Sequence, residues 1–183
     1  MKTRSAMRPA ARALAATARG LVTGVLLLCV AMLALLAAGR AGWLAGTPPD
    51  GLGLQQGRLA PPATTPNSVS SQARLWPDHP RREQAHIDPL PAPDRAAWQQ
   101  LQAVVTADPL ARVVQREPDY LRVEYRTRWL GFVDDAEFAW DAAAGVVHVR
   151  SASRVGHGDL GKNRQRVQAL RAGLQAQGPQ GRP

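Results

Sequence analysis

Cysteine is almost missing from this 183-residue chain. Cys29 is the only one, so no disulfide can form within it. No Gly-x-Ser-x-Gly elbow and no phosphate loop occur, which removes two readable enzyme templates. His79, His86, His148 and His157 lack metal-ligand spacing. No metal and no cofactor is therefore expected. His79 and His86 sit in a polar stretch, His148 follows the charged face of a strand, and His157 reads first as a solvated turn residue. No internal repeat is present. Acids are missing from residues 1–40, which carry Lys2, Arg4, Arg8, Arg12, Arg19 and Arg40. The other 143 residues hold 17 bases against 14 acids, so most of the formal charge of +9 belongs to the N-terminus. That location removes the main support for a nucleic-acid partner.

Residues 20–39, "GLVTGVLLLCVAMLALLAAG", contain no charge. Twenty helical residues at about 1.5 Å each span roughly the 30 Å of a bilayer core. Residues 1–19 form a basic segment, and the positive-inside rule leaves it in the cytoplasm. The remainder is then expected across the inner membrane, in the periplasm of a bacterium. A cleaved signal peptide is the rival reading, because "LAAGRAGWLAG" offers small residues. Signal peptides have a shorter apolar core, so the uninterrupted length favours an uncleaved anchor. Cys29 follows Leu28 and the apolar run continues past it, which argues against a lipoprotein.

Residues 40–66 are rich in Gly and Pro, lack hydrophobic periodicity, and read as a tether. A soluble α+β domain is expected over 67–177, with a disordered tail at 178–183. Within it, 67–92 reads as a segment laid against the domain. Pro93 and Asp94 start a helix whose stripe is Ala97, Trp98, Leu101, Val104 and Val105, and Asp108-Pro109 ends it. A weak edge strand at 111–116 and three further strands at 120–129, 132–140 and 146–153 follow. The fold predicted is a four-stranded antiparallel meander with two helices on one face. A two-residue Leu130-Gly131 loop pairs Tyr125 with Ala136, Val123 with Phe138 and Leu121 with Trp140. The "DAAAGV" turn pairs Trp140 with Val147 and Phe138 with Val149. On the other face Arg126 opposes Asp135, Glu124 opposes Glu137, and Glu137 opposes Arg150. The last helix, from about 160 to 176, has Leu160, Val167, Leu170 and Leu174 inward, with Arg164, Arg166 and Arg171 more outward.

The stretch "VRSASRVGHGDLGKNRQRV", 149–167, is the candidate site. A helix start offers unpaired N–H groups and partial positive charge. With Arg150, Arg154, Lys162 and Arg164 nearby, and Ser151, Ser153 and Asn163 as further donors, it is a candidate anion site. The competing reading is structural: Asp159 caps the helix, and Glu137, Asp134 and Asp135 occupy the arginines. A second cluster joins Thr127, Asp134 and Ser153 on the apolar face. There a buried carboxylate needs donors, from Arg154, Asn67 or the "SVSS" backbone. It reads as a latch holding 67–72 to the sheet before it reads as a catalytic acid.

"PNSVSSQA" (66–73), "EYRTRWLGFVDDAEF" (124–138) and "VHVRSASRVGHGDLGKNRQRVQALR" (147–171) resemble domain of unknown function family 1499. The resemblance covers about 57–175 and implies no established activity, substrate or cofactor. Members often carry a cysteine pair in a pattern like C-P-x-S-P-N-C-V-S-S. Pro62 and Ser68 hold the matching positions here, which fits a dispensable disulfide and argues against shared cysteine chemistry. The expected protein is a membrane-anchored, non-enzymatic binding or scaffolding module. Its expected partner, besides the membrane, is an envelope protein or an anionic small molecule. The alternative is a hydrolase using Asp134 with a serine or His157.

Overall fold

The computed structural model describes residues 9–176; the basic stretch before Pro9 and the expected tail at 178–183 lie outside them. Helix α1 runs Pro9–Arg40, so it takes in half of the expected basic segment as well as the apolar run. It is long and apolar enough to cross a membrane, as an anchor or a signal sequence. Strand β1 (Ser68–Ser70), strand β2 (Leu90–Pro91), helix α2 (Arg95–Ala107), strands β3 (Ala111–Glu117), β4 (Tyr120–Arg126), β5 (Val133–Asp141) and β6 (Val146–Ser153), and helix α3 (Lys162–Ala176) complete the chain.

The fold is α+β, with an antiparallel sheet of six strands. The order β1-β6-β5-β4-β3 includes the expected meander, and β2 also pairs β6. The two added strands are three and two residues long, too short to show a period of two in sequence. Helix α2 forms as its signals dictate: Asp94 accepts from the Ala97 amide at 2.8 Å, and Trp98, Leu101 and Val105 fall on one buried stripe. These pack with Val167 and Leu170 of α3 over Leu121, Val123, Phe138, Val147 and Val149. Both helices therefore cover one face of the sheet.

The β5–β6 hairpin has the expected register, Phe138 with Val149 and Glu137 with Arg150. The β4–β5 hairpin does not. Its loop is four residues, 128–131, closed by Gly131 N–H to Thr127 C=O (3.1 Å) and Phe132 N–H to Thr127 Oγ1 (2.9 Å). Gly131 takes the left-handed φ of +66°. Val123 consequently faces Ala136 and Leu121 faces Phe138. A slide of two residues keeps every side chain on its predicted face and changes every partner. Glu124 now stands opposite Asp135, and Arg126 opposite Val133. Leu160 is also displaced from its expected stripe: at φ +52° it belongs to the turn before α3 and is 93% exposed.

The second face of the sheet is buried as well, and the Gly/Pro-rich segment expected to be a tether covers it. The Gly53 amide donates to Glu137 Oε1 at 2.7 Å. Pro61 C=O accepts from Arg150 Nε at 3.0 Å. Leu59 is fully buried against Tyr120 and Ala139. Prolines and glycines mask this role, because backbone groups and a single leucine make the contact. Leu59→Ala is expected to cost about 2–5 kcal/mol, the range for emptying a buried leucine site. Urea unfolding of the full chain checks this; an unchanged midpoint would restore the free tether.

Candidate functional site

The β6–α3 stretch builds a polar hub around Asn163, which is fully buried. Its Oδ1 accepts from Ser151 Oγ and from Arg166 Nη1, both at 2.6 Å. Its Nδ2 donates to Asn67 C=O (2.9 Å), Ser153 Oγ (3.0 Å) and Asp159 Oδ2 (2.8 Å). Asn67 Nδ2 in turn donates to Gly156 C=O at 2.8 Å. Asp159 accepts from the Gly161 and Asn163 amides and so closes the start of α3. Burial alone would raise its carboxyl, but those amides hold it below the usual carboxylate value. Asp134 joins this group through Arg166, which also lies 4.4 Å over the Tyr125 ring. Arg166 therefore points inward, because Asp134 needs a cation on the helix-covered face. Arg154 and Asn67, the expected donors to Asp134, bond elsewhere. Thr127 is spent on the hairpin loop.

On the second face Arg154 grips Asp135 with two hydrogen bonds, 2.7 and 2.8 Å, and Glu124 with a third at 2.6 Å. Asp135 and Glu137 are fully buried. Arg150 sits 3.3 Å from Glu137, which also accepts from Tyr120 Oη at 2.8 Å. Burial, foremost, and the adjacent Glu137 charge push the Tyr120 hydroxyl far up. The Asp135 contact, foremost, outweighs burial and raises Arg154. Burial would raise the Glu124 carboxyl, but Arg112 and Arg154 hold it below its ordinary value. Arg164 is occupied too, donating to Gln84 and His86 C=O. Four of the seven residues chosen for anion binding thus meet in the Asn163 hub or its edge, Ser151, Ser153, Asn163 and Lys162. The three arginines face three different internal partners and do not converge.

A cleft of about 590 Å³ opens between α2, α3 and the end of β4. Val104, Leu110, Ala169 and Leu170 make apolar walls. Arg126 and Lys162 line it, and no hydrogen bond or ion pair engages either side chain among the described residues. Tyr125 also lines it, with a buried hydroxyl that has no partner. Burial, first, pushes that hydroxyl up to about 12. Tyr125 reads in sequence only as a core residue, and nothing in a strand pattern marks an unpaired hydroxyl. Arg166 was legible in principle, one turn beyond Asn163 on the same helix face.

Of the hydrolase residues, Asp134 stands opposite Ser153, and Thr127 lines the same pocket. Asp134 is held by Arg166, and His157 is exposed with no bond to it among the described residues. A different pair does meet: Ser71 Oγ lies 3.3 Å from His148 Nδ1 while accepting from the Val149 amide. Asp141 is 3.9 Å from the other ring nitrogen, beyond hydrogen-bond range. At the positions of the family's cysteine pair, Pro62 is buried and the Ala63 amide donates to Ser68 Oγ at 2.8 Å, closing the same loop without sulfur. The family model described as protein of unknown function (DUF1499) matches residues 58–174. No curated protein and no solved structure matches the chain.

Arg154→Ala should destabilise the domain by about 3–5 kcal/mol in urea unfolding, because it strands the buried Asp135 without a cation and leaves Glu124 only Arg112. A small loss would mean the two carboxylates find another partner. A pH effect follows from His148, whose burial lowers its pKa from 6.5. The unfolded chain takes that proton first, so stability should fall as pH drops below 6.5 toward the folded value. His148→Phe should flatten the melting temperature between about pH 5 and 7, measured by calorimetry.

Proposed function

The chain belongs to the DUF1499 family of proteins of unknown function, and on that premise we propose a membrane-anchored, non-enzymatic binding module whose cleft takes an anionic amphiphile. In this reading α1 stays in the inner membrane, its N-terminus is cytoplasmic, and the domain is periplasmic. The six bases and no acid in residues 1–40 support that orientation. The single observation that carries the ligand class is the buried, unpaired Tyr125 hydroxyl in a cleft that Arg126 and Lys162 also line. An unsatisfied buried donor costs about 1–3 kcal/mol, which an acceptor entering the cleft would recover. The walls ask for an apolar tail and the rim for negative charge. A cleft of this size suits a small molecule better than an envelope protein. Hydrolysis has weaker support, since the Ser71 and His148 pair lacks a carboxylate within hydrogen-bond range.

Isothermal titration of the full chain in nanodiscs with dodecyl phosphate should show saturable binding. Inorganic phosphate and dodecanol should each bind far more weakly. Tyr125→Phe should weaken binding by about 0.5–1.5 kcal/mol, the worth of one hydrogen bond. Arg126→Ala and Lys162→Ala should each weaken it too. Equal binding by all three variants would remove the cleft from the proposal. Ester turnover abolished by Ser71→Ala would favour the hydrolase.

A further inference from the structure

We infer that the β4–β5 hairpin tip and the residues just after α1 form a foot that sits in the lipid headgroup layer. This rests on the reading of α1 as a membrane anchor and goes beyond the cleft. Among the described residues of α1, the least exposed lies at its C-terminal end: Gly39 is buried and Leu36 and Ala38 are half-buried, while nearly all of the preceding span is exposed. A Cβ on Gly39 would lie 2.5 Å from Leu130 O, and one on Gly131 would lie 2.4 Å from Gly39 O. Only two glycines allow so close a backbone approach. A second staple follows at Gly46, where a Cβ would meet Val155 and Arg154 at 2.6 and 2.9 Å. Held at both points, the domain presents a defined end to the terminus of the apolar span.

That end is unusually exposed in its large apolar residues. Among the described residues outside α1, three large hydrophobic residues exceed 60% exposure: Trp43 at 81%, Trp129 at 64% and Leu160 at 93%. Trp43 lies three residues beyond the span, Trp129 lies in the hairpin tip next to Leu130, which meets Gly39, and Leu160 follows the Arg154–Val155 staple. Tryptophan is enriched at the headgroup level because its ring is apolar and its N–H is wet. Arg40 and Arg128 flank the tip, both exposed, and Arg128 lies 5.6 Å over the Trp129 ring. They complement anionic phosphates. Asp159 is the acid of the neighbouring loop, and its oxygens are turned to the Gly161 and Asn163 donors. Positive charge, interfacial aromatics and the end of an apolar helix point to one occupant, the bilayer surface, rather than a second copy of the chain.

The test reconstitutes the full chain in vesicles of zwitterionic and anionic phospholipid with acyl chains brominated near the headgroup. Carbonate extraction first reports whether α1 holds the chain in the membrane. Tryptophan quenching by the bromines then reports the foot. Quenching is expected in the native chain, reduced to about half in Trp129→Phe and largely lost in Trp43→Phe/Trp129→Phe. Arg128→Glu should weaken it in anionic vesicles alone. A carbonate-resistant chain whose quenching is the same in Trp129→Phe keeps the anchor and overturns the foot. A photocrosslinker at position 129 that captures a second copy instead of lipid also overturns it. Release by carbonate overturns the anchor and the foot together.

Discussion

Two arginines, one in β6 and one just past its end, carry the electrostatic load of the sheet's second face. Glu124, Asp135 and Glu137 stand on adjacent strands of that face with almost no access to water. Three carboxylates so close would repel each other strongly at low dielectric. Arg150 in the next strand and Arg154 just past it neutralise them, and Arg112 adds a partner to Glu124 from the other side. A buried pair of this kind is costly to half-remove and weak as a source of net stability. Its value here is positional. The same Glu137 and Arg150 that pair with each other also bond Gly53 and Pro61, so the covering segment is seated by the ion network it hides.

The helix-covered face repeats the arrangement with one carboxylate. Asp134 is balanced by Arg166, and Arg166 also bonds Asn163 and covers Tyr125. Asn163 ties α3 to β1 through Asn67 and to β6 through Ser151 and Ser153. The polar residues of the β6–α3 stretch thus mostly hold elements together. What they leave free is a small set at the edge, Lys162, Arg126 and the Tyr125 hydroxyl, facing one cleft. The cleft and the α1 contact occupy the same end of the sheet, since Thr127 lines the first and Leu130 makes the second. A ligand drawn from a bilayer would enter where the proposed anchor leaves it.

Patterns within a few residues were enough to set much of this by sequence alone. The apolar run, the Asp94 cap, the alternation in β4 to β6 and the Gly145 turn each depend on neighbours along the chain. They determine which face each strand residue takes, because the side-chain period is two whatever the register. Family membership was legible for the same reason, from contiguous motifs.

Partners across the fold were decided only by tertiary structure. The four-residue loop at 128–131 moved Glu124 opposite Asp135, a difference of two residues that no alternation pattern can detect. The cover over the second face was hidden in a segment of glycine and proline, because backbone amides and carbonyls bind without a side-chain signature. Whether an arginine is paired or free depends on which carboxylate the fold brings within reach. Arg154 and Arg126 are alike in sequence; burial beside Asp135 occupies one, and the other lines the cleft with its side chain unpaired among the described residues.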